Sequence, residues 1–154
     1  MTREVWIDVC GLPRPQGSMR MHKLPNGATV ARYPAAVYAW RSQVQQAVAE
    51  AEAEPFLGPV QLRLDFYLPR PKGHFGTGRN AHTLKPSAPP WPTVAPDTDK
   101  LARCVGDAIT DAGLWKDDAQ VCRIDVTKHY TPIRDGRLVR GPGVYIRVEE
   151  MEPL

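Results

Sequence analysis

Residues 95–103 read Ala-Pro-Asp-Thr-Asp-Lys-Leu-Ala-Arg, and they mark the start of a helix. Because a proline disfavours the α region for the residue before it, the chain should reach Pro96 extended and turn into a helix between Asp97 and Asp99. An apolar face at helical spacing then runs to Gly113, which is placed to end the helix as a left-handed glycine. The face consists of Leu101, Val105, Ala108, Ile109 and Ala112.

A second acidic pair, Asp117-Asp118, stands in front of another regular element. Residues 121–130 alternate between apolar and polar side chains, which predicts a strand with one buried face. The apolar members of that face are Cys122, Ile124 and Val126. Each acidic pair therefore lies at the end of an element.

Acids in this layout have two explanations. A hard divalent cation such as Mg²⁺ takes oxygen ligands, usually one or two carboxylates completed by water and phosphate. Aspartate is also a favoured N-cap and turn residue, so capping or turn formation would explain either pair alone. A Ca²⁺-binding module is disfavoured because the sequence lacks the EF-hand loop pattern.

The two pairs together are more specific than either one. The chain resembles the RusA-like Holliday junction resolvases in three motifs, which are Pro96-Asp97-x-Asp99-x-Leu101, a helix containing Asp107-Ala108, and Trp115-x-Asp117-Asp118-x-Gln120-Val121. The resemblance is strong from Pro96 to about Tyr130 and loose over the flanks. It implies that the catalytic metal ligands are Asp97, Asp99 and Asp118, with Asp117 as a supporting acid.

The resemblance also implies an activity. The family members are endodeoxyribonucleases that resolve four-way DNA junctions by paired symmetric nicks in recombination and repair. The implied cofactor is Mg²⁺, with Mn²⁺ as a substitute, and the implied assembly is a homodimer. Two alternatives stay open: a non-catalytic, structure-specific DNA-binding protein, and a metal nuclease acting on other branched or single-stranded DNA.

The chain departs from the family pattern at two positions. Lys100 stands where the family often has asparagine, and it becomes a candidate DNA contact. Arg103 stands where the family has a functional lysine; it can hold a phosphate but cannot donate a proton at neutral pH. Alternatively, Arg103 forms ion pairs with Asp99 and Asp107, which share its helical stripe.

Two loops carry basic side chains and no carboxylate, at residues 14–32 and 70–93. A phosphate backbone held beside an acidic site needs such loops, although solvated loops are also often basic. Phe75 and Trp91 could stack on bases or fold back onto the core. The candidate DNA-binding residues are Arg14, Arg20, Lys23, Arg70, Lys72, Arg79, Lys85 and Lys100.

Composition is that of a globular domain. The chain has 154 residues, of which 42% are hydrophobic and 24% charged, and its formal charge of +3 says little by itself. Cys10, Cys104 and Cys122 are expected to be reduced core residues. There is no transmembrane-length apolar run and no signal-peptide core, so we expect a cytoplasmic protein of bacterial, phage or prophage origin.

Four other segments complete the expected fold. Residues 4–10, 60–68 and 143–149 alternate as strands, and a helix is expected to begin with Pro34 at its first position. Val37, Trp40, Val44 and Val48 give that helix a face turned to the core or to a dimer partner. We therefore predict one α+β domain over residues 1–154, with a mixed sheet flanked by two main helices in the order β-α-β-α-β-β.

Overall fold

A computed structural model describes residues 2–154. In that range the strands are β1 (Glu4–Cys10), β2 (Arg20–Lys23), β3 (Thr29–Arg32), β4 (Val60–Leu68), β5 (Val121–Tyr130), β6 (Ile133–Arg134), β7 (Arg137–Leu138) and β8 (Gly143–Glu150). The α-helices there are α1 (Ala35–Glu50) and α2 (Thr98–Asp111). None of these helices is long and apolar enough to cross a membrane.

The main sheet contains β1, β8, β4 and β5 in that spatial order. β8 pairs antiparallel with both of its neighbours, and β4 pairs parallel with β5. Helices α1 and α2 pack against each other and against the apolar face of the sheet. The predicted α+β arrangement with a mixed sheet is confirmed, and the order of its main elements is as expected.

The core forms where the periodic patterns are strongest. All five alternating apolar residues of β4 are buried: Val60, Leu62, Leu64, Phe66 and Leu68. The apolar face of α1 is also buried, although the helix begins one residue later than expected because Pro34 occupies the N-cap position. Gly113 ends α2 as predicted, with φ at +79° and its N–H donating to the carbonyl of Thr110 at 3.0 Å.

The expected burial of β5 is wrong in its first half. Cys122 is exposed, and Ile124 is 52% exposed. The cause is that α2 does not cover this part of β5, because a cavity lies between them. Cys10 is exposed as well, on the sheet face that carries no helix, so only Cys104 of the three cysteines is a core residue.

The basic loops contain more structure than the sequence predicted. Residues 14–32 form the hairpin of β2 and β3, whose turn is closed by Leu24 N–H donating to the carbonyl of Ala28 at 2.7 Å. Both strands are largely exposed, so no apolar alternation announced them. Residues 70–93 contain two short 3₁₀ turns, at Lys72–His74 and Gly78–Asn80.

Candidate active site

Asp97 occupies the N-cap position of α2, but its side chain makes no capping hydrogen bond. Its carboxylate instead lies 3.3 Å from the ammonium of Lys100, and it is 58% exposed. Capping therefore does not explain this aspartate. Asp99 lies in the first turn of the helix, where the helix dipole stabilises an anion.

Asp117 and Asp118 have different local partners. Asp117 accepts a hydrogen bond from Ala119 N–H at 2.9 Å and caps the 3₁₀ turn Asp118–Gln120. Gln120 completes the capping box and donates to the carbonyls of Phe56 and Gly58, both at 3.0 Å. The capping explanation therefore holds for Asp117, while Asp118 faces the neighbouring cavity.

That cavity has a volume of about 560 Å³ and lies between α2 and the start of β5. Asp99, Asp107 and Asp118 line it together with Arg103, and its remaining walls are largely apolar. The apolar wall is formed by Leu62, Ala102, Trp115, Val121, Ile124 and Val126. The structure thus brings three carboxylates and one guanidinium to one cavity, whereas Asp97 lies outside its lining.

The paired acids influence each other's protonation. Hydrogen bonding to Asp117 is the largest cause that raises the pKa of Asp118, followed by burial and by the charges of Asp117 and Asp107. The pKa of Asp117 is lowered by the N–H of Ala119 and then by its bond with Asp118. Asp118 is therefore the member of the pair that holds a proton most readily. A cation can take the place of that proton and relieve the repulsion.

The carboxylates have the chemistry of a hard-cation site, but they do not converge. Asp99 and Asp107 are eight residues apart on α2, which is about 12 Å along a helix axis. The charge of Asp107 contributes to the raised pKa of Asp118, so Asp118 lies near Asp107. Within residues 2–154, no three acidic, histidine or cysteine side chains form a group that could hold a metal ion. The ligand set Asp97, Asp99 and Asp118 stays a prediction.

Arg103 is exposed and lines the cavity. Across residues 2–154 it forms no ion pair with Asp99 or Asp107, so the ion-pair explanation is not realised. Asp107 instead accepts a hydrogen bond of 2.5 Å from the side chain of Gln16, which is completely buried. The sequence did not single out Gln16, because a lone glutamine in a proline-rich loop carries no pattern.

The candidate DNA contacts lie on several surfaces. Arg20 and Lys23 are exposed on β2, while Arg14 lines a cleft of about 430 Å³ that also reaches Pro96. Arg70 is partly engaged inside the chain, because it donates to the carbonyl of Pro89 at 2.8 Å and lies over the ring of Tyr130. The others, Lys72, Arg79, Lys85 and Lys100, are exposed.

The two aromatic residues of the 70–93 loop behave differently. Trp91 is 54% exposed, with its ring centroid 5.6 Å from that of His129. Phe75 is half-buried. Trp91 is therefore the aromatic ring of this loop that remains accessible to a base.

Lys128 contacts the segment that leads into Asp97, and the sequence analysis did not single it out. It lies on β5, and its ammonium donates to the carbonyls of Val94 and Pro96, both at 2.9 Å. Pro96 directly precedes Asp97. The available signal was a lysine that continues the row of Ile124 and Val126, at a position where the alternation called for an apolar residue.

Comparison with known proteins adds an independent result. A family model described as Endodeoxyribonuclease RusA matches residues 11–149 of the chain. No curated protein matches it. The family match extends well beyond residues 96–130, on which the motif resemblance depends, and it confirms that resemblance.

Proposed function

The chain belongs to the RusA endodeoxyribonuclease family, and from this premise we propose that it is a Mg²⁺-dependent endonuclease that resolves four-way DNA junctions. It would make paired symmetric nicks and serve recombination and repair, in the cytoplasm. The observation that carries the proposal is the cavity that Asp99, Asp107, Asp118 and Arg103 line. Within residues 2–154, Asp99, Asp118 and Arg103 form no ion pair that would explain them structurally. Asp107 accepts a hydrogen bond from Gln16, and it still lines the cavity.

Each acid has a distinct part in the proposal. Asp97, Asp99 and Asp118 would hold the divalent cation, for which Mn²⁺ could substitute. A bound cation supplies activation of the attacking water and stabilisation of charge on the leaving oxygen. Because Mg²⁺ keeps several waters and uses substrate phosphate as a ligand, few carboxylates have to contact it directly. Asp117 would tune the proton affinity of Asp118 by its hydrogen bond.

Arg103 would hold a phosphate at the same cavity, because a guanidinium binds phosphate oxygens in a bidentate manner. The exposed basic residues of β2 and of loop 70–93 would hold the flanking backbone. Trp91 would stack on an unpaired base near the branch point, as exposed aromatic residues do in single-strand binding.

Paired nicks on opposite strands require two sites related by a two-fold axis, so we propose a homodimer. The sequence pointed to the first helix as the interface. The apolar residues of α1 are, however, already buried in the core of their own chain. A partner would therefore contact a different surface, or the polar face of α1.

The test is cleavage of a synthetic four-way junction in Mg²⁺, with linear duplex DNA as the substrate control. Wild type is compared with Asp118→Asn and with Asp125→Asn, a matched variant because Asp125 is exposed on β5 and does not line the cavity. We expect paired nicks with 5′-phosphate and 3′-hydroxyl ends from wild type and Asp125→Asn. Asp118→Asn should lose about a hundred- to a thousandfold in rate, the order of a lost transition-state contact.

Two outcomes would contradict the proposal. Tight junction binding without cleavage by wild type would indicate a structure-specific binding protein whose aspartates are structural. Equal cutting of flaps, single strands and junctions would indicate a nuclease of broader substrate range.

A further inference from the structure

Lys128 occupies a position in β5 where the sheet would ordinarily place an apolar residue. In the parallel pairing of β4 and β5, Phe66 is the register partner of Lys128, just as Leu64 is that of Val126. Since Leu64 and Phe66 are completely buried on the helix-bearing face, Lys128 projects from that same face. A lysine in such a row gives up part of its hydration. Hydrogen-bond acceptors within the protein are needed to compensate for that loss.

The acceptors that Lys128 finds all belong to one short segment. Its ammonium donates to the carbonyls of Val94 and Pro96 at 2.9 Å each. Within residues 2–154, the two bonds from Lys128 are the only hydrogen bonds made to residues 90–96. The backbone of this segment forms no hydrogen bond with another backbone group. The segment includes Pro92 and Pro96, which have no N–H to donate. Lys128 is therefore the polar attachment of this segment to the sheet.

The attachment point lies next to the acids. The Pro96 carbonyl shares its peptide group with the backbone nitrogen of Asp97, and a peptide group is planar. A bond that holds this carbonyl in place therefore also holds the backbone nitrogen of Asp97, the N-cap residue of α2. The side chain of Asp97 makes no capping bond, and its local partner is the exposed ammonium of Lys100 at 3.3 Å. The position of its backbone therefore matters for where the carboxylate lies.

We propose that Lys128 is a positioning residue, which holds Asp97 and Asp99 where a divalent cation can bind them by clamping the Val94–Pro96 segment to β5. This inference rests on the proposed function and deepens it. Lys128 acts through the backbone, and it is assigned no contact with the cation. Loss of such an outer contact typically weakens metal binding by about 10- to 100-fold.

The experiment compares wild type, Lys128→Met and Arg123→Met. Methionine keeps the length of the side chain while removing the donors. Arg123 is the matched control, because it is an exposed cation on the same strand and outside the cavity lining. Three quantities are measured: the Tm of the metal-free protein, Mn²⁺ binding by calorimetry, and binding of junction DNA in EDTA.

We expect Lys128→Met to bind Mn²⁺ about 10- to 100-fold more weakly, with junction binding in EDTA unchanged. Cleavage should need a correspondingly higher Mg²⁺ concentration and should recover when that concentration is raised. Arg123→Met should match wild type in all three measurements. If Lys128→Met does not fold, Lys128→Gln, which retains donors on a shorter side chain, goes through the same Mn²⁺ titration.

Three results would overturn the inference. Mn²⁺ affinity equal to wild type in Lys128→Met, with or without a lower Tm, would leave Lys128 a purely structural residue. Weaker junction binding in EDTA would make Lys128 a phosphate contact. A wild type that binds no Mn²⁺ would end both proposals. A wild type that binds Mn²⁺ but leaves junctions intact ends only the junction-resolving function, and the titration still decides the role of Lys128.

Discussion

Strands β4 and β5 lie side by side with the same alternating pattern, yet their apolar faces have different surroundings. In β4, all five inward residues are buried, and Leu64 is completely so. In β5, Ile124 pairs in register with the buried Leu62 but is itself 52% exposed. The helices that cover β4 leave the first half of β5 facing the acid-lined cavity.

The difference shows which structural information an alternating pattern gives and which it lacks. Alternation decides which side chains share a face, because this follows from the geometry of one strand. Whether something covers that face depends on where distant elements pack. In this molecule, the uncovered apolar face of β5 lines the same cavity as the candidate catalytic acids Asp99 and Asp118.

The largest effect expected from this comparison is on stability. Leu64→Ala should lower the free energy of unfolding by about 2–5 kcal/mol, because it leaves a cavity in a fully buried site. Ile124→Ala should cost less than about 1 kcal/mol, since half of its side chain is already in water. Urea unfolding of both variants, monitored by circular dichroism, measures the two values. Equal losses would mean that β5 is covered in solution.

The three cysteines allow the same contrast between buried and exposed positions to be measured by thiol reactivity. Burial raises the pKa of the Cys104 thiol to about 11, so its thiolate is scarce at pH 8 and its sulfur is shielded by α2 packing. Cys10 and Cys122 are exposed. Titration with a chromogenic disulfide at pH 8 should therefore label two thiols in the native protein and the third only after unfolding. Native Cys122→Ser should retain a single fast-reacting thiol.

The smallest effect concerns the acidic pair at the start of β5. In the metal-free protein, Asp117→Asn should lower the pKa of Asp118, because the bond and charge of Asp117 are the main causes that raise it. Asp118 would then stay ionised to lower pH. NMR titration of the carboxyl carbons measures this shift, with Asp125→Asn as the variant expected to show none. An unchanged pKa would mean that the two acids do not interact in solution.

The sequence was sufficient for elements whose apolar periodicity is long. Residues 60–68 and the start of α2 at Asp97–Asp99 came out as expected, because five alternating apolar residues and a proline before an acidic turn are strong local signals. The hairpin of β2 and β3 was missed for the opposite reason. Both of its faces are largely exposed, so the pairing left no apolar pattern to detect.

Of the acids that the sequence singled out, Asp99 and Asp118 line the cavity, whereas Asp97 and Asp117 do not. The sequence singled out Asp97, Asp99, Asp117 and Asp118 because they stand in two short acidic motifs that a local pattern can reveal. Lys128 and Gln16 act from other parts of the chain, 32 residues after Pro96 and 91 residues before Asp107. Contacts over such separations arise from tertiary packing, which local patterns do not encode.

Strand β8 follows every other strand in the chain, yet it lies in the middle of the sheet, between β1 and β4. It pairs with β1 through contacts such as Glu4↔Glu149, which join distant parts of the chain. Such long-range pairing slows folding, because the chain must lose the entropy of a long loop before the contacts can stabilise it. On the ribosome, β1 therefore waits for a partner until β8 emerges. A nascent chain would carry all its candidate catalytic acids while β4 and β5 have only each other as partners, so the sheet beneath the candidate site is completed only when synthesis has passed β8.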